Sequence, residues 1–597
     1  MKIEDYGFLS DTQTAALVGR DGSIDWLCMP RFDSPACFAK LLGDEENGYW
    51  RIAPRHAVRH TKRQYRDGTL IMETEFQTDE GRVRLIDTMP LRDETPDVVR
   101  IVEGLEGSVE MVMQMVVRFD YGEVIPWVQH HDGGIVAKAG PDGLILRSDV
   151  ETHGENLSTV AEFTIQRGER VAFVLTWFPS HESPPGAIQS ERSLAQTEEF
   201  WREWSGHCES ENPWAEAVRR SLLVLKGLTY APTGGLVAAA TTSLPERLGG
   251  ERNWDYRYCW LRDATFTLLC LIDAGYTDEA AAWRDWLLRA AAGSPEQMQI
   301  LYGVAGERRL HEYELTHLKG YADSRPVRIG NAAHEQFQLD VYGEVLDALY
   351  QARKAGLRPN ESALGLERHL VEFVIKNWRE PDEGIWEVRG GRRDFTHSKM
   401  MAWVAMDRAV RGAKAHGQHG DIAKWQSVRD EIHREVCARG FHAGKDAFTQ
   451  SFDSALLDAS LLVMPLVGFL PIEDPRVQGT IRAIERELMV DGFVMRYDAH
   501  RARSVDGLSC GEGAFLPCTF WLADCLHLMG RRTEAVDIFE RMLSLRNDLG
   551  LLAEEYDPHQ GVMLGNFPQA FTHVGLVNTA ANLGESDNPC RTRRQKE

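Results

Sequence analysis

Asp273-Ala274-Gly275-Tyr276-Thr277 joins two stretches of helical periodicity, 262–275 and 277–292, with almost no chain between them. So short a connection makes a helical hairpin. The same tight join recurs at Leu528-Met529-Gly530-Arg531. Working outward, the apolar residues beyond Pro213 keep a spacing of three and four. That spacing predicts helices near 214–229, 262–275, 277–292, 337–355, 362–378, 396–415, 421–439, 454–465, 474–487, 512–529, 531–545 and 570–583. Long connections separate some of them, notably 293–336 and 546–569. About twelve helices with alternating short and long links predict a toroid of hairpins, an (α/α)6 barrel, whose long loops build a site at one rim. The rival, a helical solenoid, would show a repeated sequence unit, and none is visible.

Upstream the period changes to two. Gly48–Ala53, Leu70–Phe76, Val83–Asp87 and Val99–Glu103 alternate apolar and polar residues between turn residues. Arg170–Trp177 is more continuously apolar, as a strand buried on both faces would be. These runs predict an N-terminal β-sandwich over 1–190, a helical linker over 191–213 centred on Leu194–Trp204, and a barrel over 214–597. The fold class is therefore mixed and mainly α.

The totals narrow the function. With 597 residues, 43% hydrophobic and 26% charged, the chain is an ordinary globular protein of more than one domain. A net charge of -23 argues against a nucleic-acid backbone or an anionic membrane as partner and favours a neutral or cationic ligand. No basic segment followed by an apolar run opens the chain at Met1–Gly7, and Leu461–Ile472 is too short to span a bilayer. Ten scattered cysteines without ligand-like spacing read as reduced, packed thiols, which points to the cytoplasm. Neither a metal site nor a phosphate-binding loop is evident, so no cofactor is expected. The oligomeric state stays open.

Chemistry concentrates in the long loops. Arg252–Asp263 (Arg-Asn-Trp-Asp-Tyr-Arg-Tyr-Cys-Trp-Leu-Arg-Asp) gathers aromatic faces that stack on a sugar with charged groups that bind its hydroxyls. The bland alternative is a surface ion-pair loop over core aromatics. Glu387 follows Trp386 in Gly384-Ile385-Trp386-Glu387-Val388-Arg389, and an apolar neighbour raises a carboxyl pKa as a proton donor requires. Glu554 and Glu555 stand in Leu552-Ala553-Glu554-Glu555-Tyr556, and chemistry alone does not choose between them. Taken singly, each of these acids reads as an unremarkable loop residue.

The chain resembles glycoside hydrolase family 15, the glucoamylase and bacterial trehalase group, over nearly its whole length. The resemblance rests on Asp5–Asp11, Gly22–Cys28, Thr233–Glu246 and Trp254–Asp263. It implies an inverting, exo-acting α-glucosidase that releases glucose from a non-reducing end, with Glu387 as general acid and Glu554 as general base. By the same resemblance Arg262 and Asp263 hold the terminal glucose, with Trp260 and Trp386 nearby. His334, Gln338 and Asp340 are further expected contacts, and Glu512 is expected at the rim; a buried structural role suits His334 equally. Inversion needs room for a water, so the two carboxyls are expected roughly 6.5–9.5 Å apart. Trehalose is the favoured substrate, with isomaltose, maltose and short maltodextrins open. A phosphorylase, which needs no base, and a sugar-binding protein without turnover are the rivals.

Overall fold

The computed structural model describes residues 1–208, 212–357, 361–416, 420–498, 503–508 and 511–584. Residues 209–211 of the expected linker and 585–597 of the expected barrel lie outside the described residues.

The N-terminal part is one folded antiparallel sheet. Its strands are β1 (Tyr6–Ser10), β2 (Ala15–Gly19), β3 (Ser23–Cys28), β4 (Ala36–Phe38), β5 (Tyr49–Pro54), β6 (His60–Tyr65), β7 (Met72–Gln77) and β8 (Gly81–Thr88). They continue with β9 (Asp97–Val116), β10 (Trp127–His131), β11 (Gly134–Ala139), β12 (Asp142–Ser148), β13 (His153–Glu155), β14 (Ser158–Gln166) and β15 (Arg170–Pro179). The main path runs β1-β2-β3-β5-β9-β15-β12-β11-β10. β9 is the spine: its first half pairs with β8 and β15, its second with β5 and β14. Trp26 and Trp50 are wholly buried in this layer. Arg100, also buried, pins the spine by donating to Asp87, to Trp50 O and to Gly22 O at 2.6–2.7 Å.

The expectation for Arg170–Trp177 has a physical cause in α2 (Ser190–Ser205), the linker helix. Its Leu194 packs on Ile71, Ile86, Val99, Ile101, Ala172 and Val174, the outer face of the sheet. β15 is thus covered on both sides, and burying each such side chain contributes about 2 kcal/mol.

The rest is helical. A one-turn helix, α1 (Phe119–Gly122), precedes α2. After it come α3 (Ala215–Gly227), α4 (Ala264–Asp273), α5 (Thr277–Ala290), α6 (Asp340–Lys354), α7 (Glu361–Asn377), α8 (Thr396–His416) and α9 (Ile422–Arg439). The chain continues with α10 (Val463–Leu466), α11 (Pro475–Glu487), α12 (Arg503–Asp506), α13 (Leu516–Leu528), α14 (Arg532–Ser544) and α15 (Ala570–Leu583). α4 packs on α6, α6 on α8, α8 on the turn before α10, α10 on α13, α13 on α15, and α15 back on α4. α6 and α13 are buried almost all round, as helices enclosed by others must be. α5, α11 and α14 bury one stripe only, and they flank that ring.

Two predicted helices change. The one expected at 454–465 shrinks to a 3-10 turn, Ala459–Leu462, running into α10. Asp458 starts that turn by accepting from Ser460 N–H at 2.8 Å, and Pro465 lies in its last turn. The one expected at 512–529 begins only at Leu516, because Ala514 and Phe515 are drawn into pairing with Tyr556 and Glu555.

The sheet braces the helical part. Trp26 Nε1 donates to Ala240 O at 2.9 Å and Ser10 Oγ to Gly227 O at 2.6 Å. Buried Arg257, in the loop singled out above, donates to Ser34 O at 2.8 Å and to the Tyr121 hydroxyl at 2.9 Å. That loop is therefore held from behind.

Candidate active site

Short strand pairings aim the loops inward. Cys259–Trp260 pairs with Leu301–Tyr302, which fixes Trp260 and the start of α4. On the other side Ala514–Phe515, Glu555–Asp557 and Val562–Leu564 form a three-stranded sheet, and Glu554 stands directly before its central strand.

Glu387 sits in a strained turn. Its φ is +50°, in the left-handed region that costs a side-chain-bearing residue roughly 1 kcal/mol or more. The turn is closed by Glu387 N–H donating to Gly384 O and by Gln336 Nε2 donating to Glu387 O, each at 3.2 Å. Its Oε1 accepts from Arg262 Nη1 at 2.9 Å and from Trp260 Nε1 at 3.2 Å. Burial pushes the carboxyl pKa up, with Arg262 and Arg496 opposing. The side chain still keeps 21% of its surface exposed, so a ligand can reach it. Arg262 is held by Asp263 Oδ1 at 2.9 Å and by Ile385 O at 3.1 Å.

Glu554 is wholly buried. Its Oε2 accepts from Asn566 N–H at 3.2 Å, while Oε1 has no hydrogen-bond partner. Its pKa is pushed up to about 8, first by burial and then by the charge of Glu246. Glu555 is differently engaged: Oε2 accepts from Gly513 N–H at 2.8 Å and Oε1 lies 3.4 Å from Arg496. The geometry thus separates two acids that the sequence left equivalent. In both acids Oε2 accepts one backbone N–H and Oε1 has no hydrogen-bond partner; they differ in that Glu555 Oε1 lies in ion-pair reach of Arg496.

Behind them stands a buried ionic network. Arg496 Nη2 contacts Glu512 at 2.6 Å and Glu246 at 2.9 Å, and its Nε donates to Glu512 at 2.9 Å. Arg252 adds contacts to Glu512 at 3.3 Å and Glu246 at 3.6 Å, and it pairs with Asp506. Glu246, Glu512 and Glu555 bring oxygens within 4.8 Å of one another, a grouping that suits a cation, and two guanidinium groups supply that charge. Against its own burial, Glu512 is held ionised by Arg496; Glu246 and Glu555 are pushed up by burial.

Two groups bridge the acids electrically. The nearby Tyr256 phenol opposes the rise of the Glu554 pKa, and the charges of Glu554, Glu246 and Glu387 add to burial in raising its own. Arg496 acts on both Glu387 and Glu554. The ring of Tyr256 meets Trp260 edge-on at 5.1 Å.

The other expected contacts divide. Trp386 is a support: its Nε1 donates to both oxygens of Asp458, at 2.9 and 3.1 Å, and Arg496 lies 5.5 Å over its ring. Asp340 is buried with neither oxygen hydrogen-bonded, and burial, then the charges of Asp382 and Glu344, push its pKa far up. It lies close enough to feel Arg262 and Glu387. Gln338 donates to Gln336 Oε1 at 3.3 Å and leaves its own oxygen unpartnered. His334 meets Asn331 O at 2.9 Å through Nδ1 and keeps 9% of its surface exposed. Glu512 corrects an expectation. Its side chain has no exposure, so it serves Arg496 behind the site instead of lining a rim. Sequence reasoning missed Arg496 and Asp458. The available signal for Arg496 was an arginine in the otherwise apolar Phe493-Val494-Met495-Arg496-Tyr497.

Residues 213–581 match the model of glycosyl hydrolases family 15, and residues 1–201 match that of the trehalase-like N-terminal region. The chain is 39% identical to a trehalase of Mycobacterium tuberculosis, over 97% of this chain and 89% of that protein. It is 40% identical to a trehalase of Mycolicibacterium smegmatis, over 97% and 91%. A trehalase of Thermoplasma volcanium is 34% identical over 98% and 94%. Among solved structures, a bacterial glucoamylase complexed with acarbose superposes with a TM-score of 0.74 at 14% identity, covering 98% of this chain and 94% of that one. That likeness shows the fold: mixed helix and strand, with an N-terminal sheet part. The protein is a glycoside hydrolase. It belongs to glycosyl hydrolases family 15.

Proposed function

We propose that this enzyme hydrolyses α,α-trehalose with inversion, with Glu387 as general acid and Glu554 as general base. The observation that carries this is the asymmetry of the two carboxyls around Tyr256 and Arg496. Glu387 is partly exposed, so a ligand can reach it, and its burial biases it toward the protonated form. Glu554 presents one unengaged oxygen beside a fixed one. In the reaction Glu387 gives its proton to the glycosidic oxygen, while Glu554 takes one from a water that attacks C1 from the opposite face. Arg262 and Trp260 hold Glu387 Oε1, which leaves Oε2 as the oxygen that carries the proton. Arg262, Asp263 and Trp260 then form the pocket for the terminal glucose, with Asp340, Gln338 and His334 behind.

Trehalose is chosen because the relatives compared at 34–40% identity over nearly the whole chain carry the name trehalase. The architecture we assign is a β-sandwich over 1–190, a helical linker over 191–213 and an (α/α)6 barrel beyond, supported by the circular order of helix contacts. We place the enzyme in the cytoplasm. Its described cysteines are all free, and no helix among the described residues is long and apolar enough to cross a membrane. The test is hydrolysis of trehalose, isomaltose, maltose and maltodextrins, with NMR following the first anomer. Release of β-glucose from trehalose is expected, without added phosphate. First release of α-glucose from an α-linked substrate such as maltose overturns inversion; phosphate-dependent formation of glucose 1-phosphate in place of a second free glucose overturns hydrolysis in favour of phosphorolysis.

A further inference from the structure

Sheet edges invite pairing, and soluble proteins guard them with charge, proline, shortness or a covering element. Four of the edges in this sheet are guarded. β1 is buried throughout and packs against α3. β4 lies against α1. β6 carries Lys62 and Arg63, with Arg63 tied to Asp548 at 2.5 Å. β13 has three residues, one of them Glu155.

β10 differs. Trp127-Val128-Gln129-His130-His131 ends the main path of the sheet, and all five residues are exposed. It contains no Asp, Glu, Lys, Arg or Pro. Trp127 is 79% exposed and Leu157, on the adjoining turn, 68%. Ile125, Val128 and Leu157 are exposed on the side of the sheet that borders a cavity, and Val124 and Trp127 are exposed nearby. Beneath them the sheet does not close on itself. A cavity of 440 Å³ opens between β10–β12 and β13–β14, floored by Leu144, Leu146 and Leu175 with Ile125 and Leu157 at its mouth.

We propose that β10 is the self-association edge of this protein. An antiparallel strand on a two-fold axis pairs with its own copy, because the same edge serves both partners. Centred near Gln129, such pairing sets Trp127 opposite His131 of the second copy and Val128 opposite His130. The two open cavities then meet mouth to mouth, and Ile125 and Leu157 of each copy are covered. Two bodies of net charge -23 repel, and pairing through β10, which carries no carboxylate of its own, adds no acid–acid contact along the strand itself. The active site is not involved, so the proposal stands apart from the substrate assignment.

The test is sedimentation velocity of the full chain at about 10 µM, a concentration where a specific dimer persists. A dimer, or a larger even-numbered assembly, is expected. Val128→Lys should halve the mass while circular dichroism and glucose release stay unchanged. His130→Pro should do the same by removing an outward-facing edge N–H, and Gln129→Cys should give a covalent dimer on oxidation where the wild type gives none. A wild-type monomer overturns the proposal, including one whose cavity takes up an apolar fluorophore, since the cavity would then be a ligand site. So does an assembly whose mass neither Val128→Lys nor His130→Pro changes.

Discussion

Two glutamates and the groups that bias them govern the chemistry. Glu387→Gln and Glu554→Gln each remove a proton-transfer group and should lower kcat by roughly 10²–10⁴-fold or more with the fold intact, read by kinetics and circular dichroism. Glu555→Gln separates the neighbours. Its carboxyl is tied to Gly513 and Arg496, so kcat should fall far less than for Glu554→Gln. The pH profile follows from the shifts. The acid limb of kcat/KM reports the base, which must lose a proton; the alkaline limb reports the acid, which must keep one. Burial raises both carboxyls above the ordinary value of 4.5, so both limbs should lie above the usual carboxylate range. Glu246 raises Glu554 by like charge, so Glu246→Gln should move the acid limb to lower pH. An unmoved limb would separate Glu554 from that network. The sequence put Glu387 and Glu554 on the page as candidates. It did not show that Arg496, far away in the chain, acts on both, because only folding makes them neighbours.

At the level of elements, α15 is the clearest test. His573 on this helix accepts Leu552 N–H at Nε2, 3.2 Å away, and its Nδ1 stands 3.0 Å from Ser221 Oγ on α3. It thereby fixes the segment that leads to Glu554. Burial lowers its pKa to about 3, as it does for His397. A depressed folded value means that stability is full above the unfolded pKa near 6.5 and is lost as pH falls toward 3. Unfolding midpoints should therefore drop through that window, and His573→Gln should flatten the drop. His573→Ala should cost about 2–4 kcal/mol, since it strands a buried N–H and a hydroxyl. Helix positions were legible from periodicity, and most ends agree within a few residues. The exceptions, 454–465 and 512–529, are segments where the chain gives up helix to place Asp458 under Trp386 or to pair Phe515 with Glu555. Local period carries no record of such tertiary demands.

As a whole, the molecule joins sheet and helices too closely for independent behaviour. Arg257 donates to Ser34 O and Tyr121, Trp26 to Ala240 O, and Arg63 to Asp548 across the junction. Calorimetry should accordingly show one main unfolding transition, and Tyr121→Ala should lower its temperature together with activity, since Tyr121 backs the Arg252–Asp263 loop. Two well-separated transitions, with activity lost at the second, would refute this coupling. The amino-acid order alone determined the change of period near residue 190, the hairpins of the second part and the acids in its long loops. These follow from local spacing, which decides what each segment buries. Tertiary structure alone decided that Glu555, not Glu554, lies in ion-pair reach of Arg496, that Glu512 is a hidden counter-charge, and that β10 is left open. Each depends on what lies across a fold from a given atom, and desolvation and charge act through space, not along the chain.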